Sequence, residues 1–127
     1  MTKTVNAGGR EITLRVSALL PRKYRYKFGR DMVKDLFNLR HRLLEIVEKY
    51  KAGDLSEDFT ADEVEAFEDL TWTFAKAGDP TVPDSVEEWL DSFEGVFGVY
   101  TLLPEILLLW TESEQGTSEP AKKAGRQ

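Results

Sequence analysis

The chain has 127 residues, enough for one domain with a real core and too few for two. Hydrophobic residues make up 41% of it and charged residues 31%, which is ordinary for a soluble globular domain. Cysteine is absent and His41 is the single histidine, which excludes disulfides, thiolate metal sites and multi-histidine sites. The N-terminal MTKTVNAGGRE has no apolar segment of a secretory signal, so we expect a cytoplasmic protein.

The net charge of −6 is divided unevenly along the chain. Residues 1–51 carry 13 Lys and Arg against 5 Asp and Glu, whereas residues 52–114 carry 1 against 17. Three arrangements fit this division: the two halves pack on each other, the basic face of one copy meets the acidic face of another, or the basic half contacts nucleic acid. The acidic isoelectric point near 4.9 argues against general affinity for nucleic acid.

The N-terminal half predicts a hairpin followed by two helices. Alternation of Ile12, Leu14 and Val16 after the turn-forming Gly8-Gly9 predicts a β-hairpin over about residues 3–16. Ser17 and Gly29 bound a predicted helix over residues 18–28. Asp31 caps the next predicted helix, which ends near Lys51.

The helix after Asp31 has an unusually wide apolar arc. One face carries the regular stripe, and further apolar residues widen the arc toward half the circumference: Met32, Leu36, Leu39, Leu43, Ile46, Val47 and Tyr50 in the stripe, with Val33, Phe37 and Leu44 beside it. Such an arc predicts a helix that is contacted on two sides, at the centre of a bundle.

The acidic half predicts two further helices and an apolar end. Thr60 and Glu63 have the spacing of a capping box, which starts a predicted helix that reaches about Ala77 with Trp72 on its polar side. Asp84 and Glu87 have the same spacing, and an apolar stripe predicts that this helix continues to Tyr100. Residues 96–110 are too short for a membrane span and contain Pro104 and Glu105, so they predict a buried helix bent or restarted at Pro104.

Together these patterns predict a mainly α fold, with about five helices in a compact bundle and a small N-terminal β-hairpin. Residues 1–111 form the predicted single domain. Residues 112–127 have no apolar periodicity and predict a disordered, flexible polar tail.

The residues predict no enzyme, no cofactor site and no metal site. Gly8-Gly9 is not followed by the Lys of a phosphate-binding loop, and a single histidine on a charged helix face gives no catalytic triad. Acidic clusters at helix starts are explained by capping and the helix dipole. The basic segment 22–42 interleaves cations with aromatic residues and leaves a small nucleic-acid-binding regulator as the alternative function.

Three segments resemble the tail assembly chaperones of long-tailed bacteriophages and prophages of Gram-positive bacteria. They are PRKYRYKFGRDMVKDL at 21–36, FEDLTWTFAKAGDPTVPDSVEEWLDSF at 67–93 and LPEILLLW at 103–110, and the similarity covers most of the chain. The resemblance implies a non-enzymatic protein of the bacterial host cytoplasm. It implies binding to the tape measure protein, recruitment of major tail tube subunits, and absence from the finished virion.

The family supplies no catalytic residues, so candidate contacts come from the chemistry of holding an apolar helical client. An exposed apolar surface ringed by acidic side chains would serve, and the candidates are Trp72, Trp89, Leu107 and Trp110 with Glu88, Asp91 and Glu105. For a homo-oligomer or an acidic partner, the candidate contacts are basic: Arg22, Arg25, Arg30, Arg40 and Arg42.

Overall fold

A computed structural model gives the arrangement of the chain. It describes residues 1–54, 56, 58–95 and 98–126, with side chains described through residue 114. In chain order the elements are β1 (Thr2–Ala7), β2 (Arg10–Arg15), α1 (Leu20–Phe28), α2 (Met32–Lys51), α3 (Ala61–Gly78), α4 (Val86–Asp91), a short 3-10 helix (Val99–Thr101) and α5 (Leu102–Arg126). The predicted class, five helices with an N-terminal hairpin, is confirmed over this part of the chain.

The hairpin forms at the predicted turn. Strands β1 and β2 pair antiparallel with Ala7 opposite Arg10, and Gly8 and Gly9 both take positive φ angles, 61° and 82°. Two consecutive positive φ values are what a tight two-residue hairpin turn requires. The hairpin lies on the helices through Ile12, Leu14 and Val16, which are all buried.

The helix starts are mostly set by the predicted residues. Asp31 accepts the Lys34 amide at the start of α2, and Thr60 with Glu63 forms a complete capping box on α3. Helix α1 differs, because it starts at Leu20 without a side-chain cap; Ser17 contributes only its backbone carbonyl. The predicted cap by Ser17 is therefore wrong.

The central helix is α3, and the prediction that α2 occupies this place is wrong. Every residue from Asp69 to Ala75 is buried, so this part of α3 is covered on all sides by the hairpin and its neighbouring helices. Three of those residues are polar, but each is satisfied. Thr71 and Thr73 donate to the carbonyls of Phe67 and Asp69, four residues back, at 2.7 Å each. Asp69 is bonded by Arg30.

Gly78 at the end of α3 allows the close approach of the hairpin. A Cβ at this position would overlap the backbone carbonyl of Thr13 on β2. Only glycine lets a helix end and a strand backbone approach so closely. The hairpin is thereby seated directly on α3.

Helix α4 is shorter than predicted. It starts at Val86 with Ser85 as its cap and ends at Asp91, not at Tyr100. Ser92 bonds back to the Trp89 carbonyl, and Phe93 then packs edge-on against the Trp89 ring at 5.1 Å. The chain leaves the helix because Phe93 packs there and under Arg10, whose guanidinium lies 3.9 Å from its ring centre. Phe97, which the prediction placed on the same stripe, lies outside the described residues.

Helix α5 starts at Leu102, so Pro104 stands in its first turn and neither bends nor restarts it. The predicted flexible tail over residues 112–127 falls largely on residues whose side chains the structure does not describe, and it stays a prediction. Over the described residues, no helix is both long and apolar enough to cross a membrane.

Candidate functional site

The four apolar side chains predicted to form an exposed contact surface are buried. Trp72 is 8% exposed, and Trp89, Leu107 and Trp110 are buried as well. These residues are part of the core, and the expectation that they form an exposed client surface is wrong.

Trp72 shows why its predicted position on the polar side of α3 was misleading. Its indole Nε1 donates to the Pro83 carbonyl at 2.8 Å, and Phe28 of α1 packs edge-on against its ring. The Lys27 ammonium lies 4.8 Å from the ring centre. Helix α1 and the loop before α4 therefore cover a face of α3 that the pattern alone marks as solvent-facing.

The acidic candidates divide into free and paired side chains. Glu88 and Asp91 are exposed on α4, where they contribute charge at the surface. Glu105 on α5 is paired with Lys3 of β1 at 2.9 Å and raises the pKa of that lysine. Glu105 thus holds the hairpin against α5.

The basic candidates are divided in the same way. Arg22 and Arg25 are exposed on α1 beside Tyr26. Arg40 bonds Thr111 and lies 4.9 Å from the Trp110 ring centre. Arg42 bonds Glu63 at 3.1 Å. Several cations of the basic half therefore contact residues of the acidic half within the same chain.

Arg30 is the most connected of these cations. It lies in the link between α1 and α2 and donates to Asp69 of α3 at 2.7 Å, to Asp35 of α2 at 3.0 Å and to the Tyr24 hydroxyl of α1 at 2.8 Å. Tyr24 in turn donates to Asp35 at 2.6 Å. We call these four residues the Arg30 network. It joins three helices, so Arg30 has a structural role within the chain, and its predicted contact with an oligomer or acidic partner stays a prediction.

Burial and hydrogen bonding shift the pKa values in this network. Burial lowers the pKa of Arg30, but its bonds to Asp69, Asp35 and Tyr24 outweigh that effect and raise it. Burial raises the pKa of Asp69, and the bond from Arg30 opposes the shift. Burial, followed by the bond to Asp35, raises the pKa of Tyr24 well above its usual value. These shifts keep Arg30 charged and Tyr24 protonated at neutral pH.

An exposed apolar stripe lies along α2. The wide apolar arc in the sequence indicated this helix but did not show which of its residues are exposed. Leu44 is 60% exposed, Phe37 46%, and Val33 and Val47 each 38%. At 100° per residue these four positions lie within about 80° of one another, along the side of α2 next to its buried face. We call these four residues the α2 stripe. These residues are one exposed part of the wide apolar arc, and Tyr50, which is 68% exposed near the end of α2, is another.

The α2 stripe contacts α5 near its middle. Phe37 packs edge-on against Trp110 at 5.0 Å, and Arg40 lies over both rings. Leu44 and Val47 continue beyond this contact toward Lys51, where α2 extends past the core. The stripe is thus anchored at its middle and open at its C-terminal end.

A second apolar feature lies on another side of α2. A groove of about 460 Å³ runs between α2, α3 and the start of α5. Leu43, Phe59, Val64 and Tyr100 line it, with Glu63 at its edge. Helix α2 therefore has exposed apolar surface on both sides of its buried face.

No group of three His, Asp or Glu side chains among the described residues is placed to hold a metal ion. His41 is 79% exposed, and its nearest carboxylate, Glu45, is 3.8 Å away.

Family models, curated proteins and solved structures give no match. Functional evidence for this chain therefore comes from its residues and its geometry.

Replacement of Arg30 by Gln tests the Arg30 network. We expect the free energy of unfolding to fall by about 2 kcal/mol, less than the ~3 to 5 kcal/mol of a fully buried pair, because a third of Arg30 is exposed. Urea unfolding measures the loss. Arg25→Gln removes the same charge from an exposed site of α1 and should change stability little. Equal effects of the two replacements would contradict the role of the network.

Tyr24 makes stability depend on alkaline pH. Because its pKa is raised in the folded chain, its contribution is complete below pH 10.0, the ordinary tyrosine value, and is lost as pH rises above it. Between pH 10 and 12 the free energy of unfolding should fall less steeply with pH in Tyr24→Phe. The difference in slope should be at most that of one bound proton. Urea unfolding at a series of pH values checks this, and an unchanged slope would show that Tyr24 ionises equally in both states.

Proposed function

We propose that this protein is a tail assembly chaperone of a long-tailed bacteriophage or prophage, acting in the cytoplasm of the bacterial host. In this role it binds the tape measure protein and helps recruit major tail tube subunits around it, without remaining in the virion. The proposal is based on the resemblance of residues 21–36, 67–93 and 103–110 to that family.

The observation that supports it best is the α2 stripe. A client that is long, helical and apolar needs a partner surface that is apolar, exposed and narrow enough to fit along a helix. Val33, Phe37, Leu44 and Val47 have the i, i+4 and i+3 spacings along one side of α2 that pack against a second helix.

The charges around the α2 stripe favour contact without aggregation. Lys34, His41 and Glu48 lie along one edge of the stripe, and all three are exposed. A charged edge keeps a short apolar strip in solution while leaving it open to an amphipathic helix.

The alternative function, nucleic-acid binding through residues 22–42, has weaker support. It would require cations that already have partners within the chain. Arg30 bonds Asp69, Arg40 lies against Trp110, and Arg42 bonds Glu63. A phosphate backbone would have to compete with these partners.

Co-expression with the tape measure protein of the same phage tests the proposal. We expect the chain to keep that protein soluble and to co-purify with it. Leu44→Glu with Val47→Glu should reduce recovery of the complex at least about tenfold, because two apolar contacts are replaced by charges. Circular dichroism would establish that the variant stays folded.

Leu108→Glu is the matched control. Leu108 is 49% exposed on α5 and does not belong to the α2 stripe, so its replacement should leave the complex intact. Failure of the unaltered chain to bind the tape measure protein would refute the function. A complex that survives the Leu44 and Val47 replacements would refute the stripe as its site.

A further inference from the structure

A cationic pocket lies between the end of β2, α1 and α3. Its volume is about 470 Å³, and four of its lining residues are basic: Arg15, Lys23, Lys27 and Lys76. None of its lining residues is acidic, and none belongs to α2. In a chain of net charge −6 this is a local concentration of positive charge.

Two of the four cations are held in place mainly by groups that carry no net charge. The Lys76 ammonium donates to the carbonyls of Pro80 at 2.9 Å and Val82 at 2.6 Å. The Lys27 ammonium donates to the Asp84 carbonyl at 3.1 Å. Backbone carbonyls fix the ammonium groups without neutralising them, so their charge stays available at the pocket.

Asp79, Asp84 and Glu87 lie near these lysines, and Asp84, which forms an ion pair with Lys76, is a weak competitor for a ligand. Asp84 pairs with Lys76 at 3.0 Å, and this pair lowers the pKa of the carboxyl. The Asp84 side chain is 96% exposed, so water screens the pair and a ligand carboxylate can displace it.

The other two cations are free. Arg15 at the end of β2 and Lys23 on α1 are exposed, and over the described side chains no carboxylate lies within ion-pair distance of either. With Lys27 and Lys76 they surround the pocket on two sides. A carboxylate that enters the pocket from solvent can therefore bind Arg15 and Lys23 without displacing an existing partner.

The floor of the pocket is apolar. Leu19 is 51% exposed there, beside Leu20, Ala77 and the edge of Trp72. An exposed leucine within a ring of cations offers contact area to an aliphatic or aromatic side chain. Charge alone would not need such a floor.

We propose that this pocket binds an acidic peptide segment that carries a bulky apolar side chain between its carboxylates. The carboxylates match the four cations, and the apolar side chain matches Leu19 and the edge of Trp72. A nucleic acid would satisfy the cations but would leave Leu19 and Trp72 without an aliphatic or aromatic side chain as partner. The site is separate from the α2 stripe and does not depend on the proposed function.

Fluorescence anisotropy with the full chain tests this proposal. The probe is a short fluorescein-labelled peptide in which Asp and Glu flank a central Leu-Phe pair. We expect saturable binding that Arg15→Glu with Lys23→Glu weakens about tenfold, since two favourable charge pairs become repulsive. Arg22→Glu with Arg25→Glu changes the net charge equally on α1 but outside the pocket lining, and it should weaken binding less than about twofold.

Two further probes separate this ligand class from other acidic ligands. Serine in place of the Leu-Phe pair should weaken binding by about fivefold or more, because the apolar contact is lost. A labelled single-stranded DNA oligonucleotide of equal charge should bind more weakly than the peptide. Circular dichroism checks that the exposed replacements leave the fold intact.

Three results would overturn the proposal. Equal losses in the two double variants would mean that net charge and not the pocket attracts the peptide. Equal binding of the serine peptide would remove the apolar floor from the site. Tighter binding of the oligonucleotide would make the surface a nucleic-acid site.

Discussion

The arrangement of the helices depends on the contact between Arg30 and Asp69. Arg30 lies between α1 and α2, and its bonds to Asp69, Asp35 and Tyr24 fix both helices on α3. Asp69 is the charged residue within the buried stretch of α3 from residue 69 to residue 75, so its partner has to come from a neighbouring element. With α1 and α2 held in this way, the hairpin seats on one side of α3, and the outer side of α2 stays uncovered.

Sequence patterning succeeded where the stabilising contacts are local and failed where they come from a distant element. Local signals predicted the hairpin turn, the Asp31 cap and the Thr60 capping box, because the stabilising partners lie within a few residues. The choice of central helix failed, because Asp69, Thr71 and Thr73 make α3 look half-polar. Their polarity is satisfied by Arg30 and by carbonyls one turn back, and no helical period reveals this.

The candidate sites were predictable to a similar degree. The excess apolar arc on α2 was visible in the sequence, but its open part could be located only once Met32, Leu36 and Leu39 were seen to face the core. The tryptophans attracted attention by their size, and the fold buries them. The cationic pocket joins residues as distant in sequence as Arg15 and Lys76, so only the tertiary structure brings them together.

We propose that the exposed side of α2 binds a helical client, and site-specific photo-crosslinking can detect this contact. A photoreactive amino acid at Leu44, in cells that also make the tape measure protein, should give a crosslinked product of the two chains. The same amino acid at Leu108, on α5, should give little. Crosslinking from Leu108 in preference to Leu44, or from neither, would contradict binding of the client along α2.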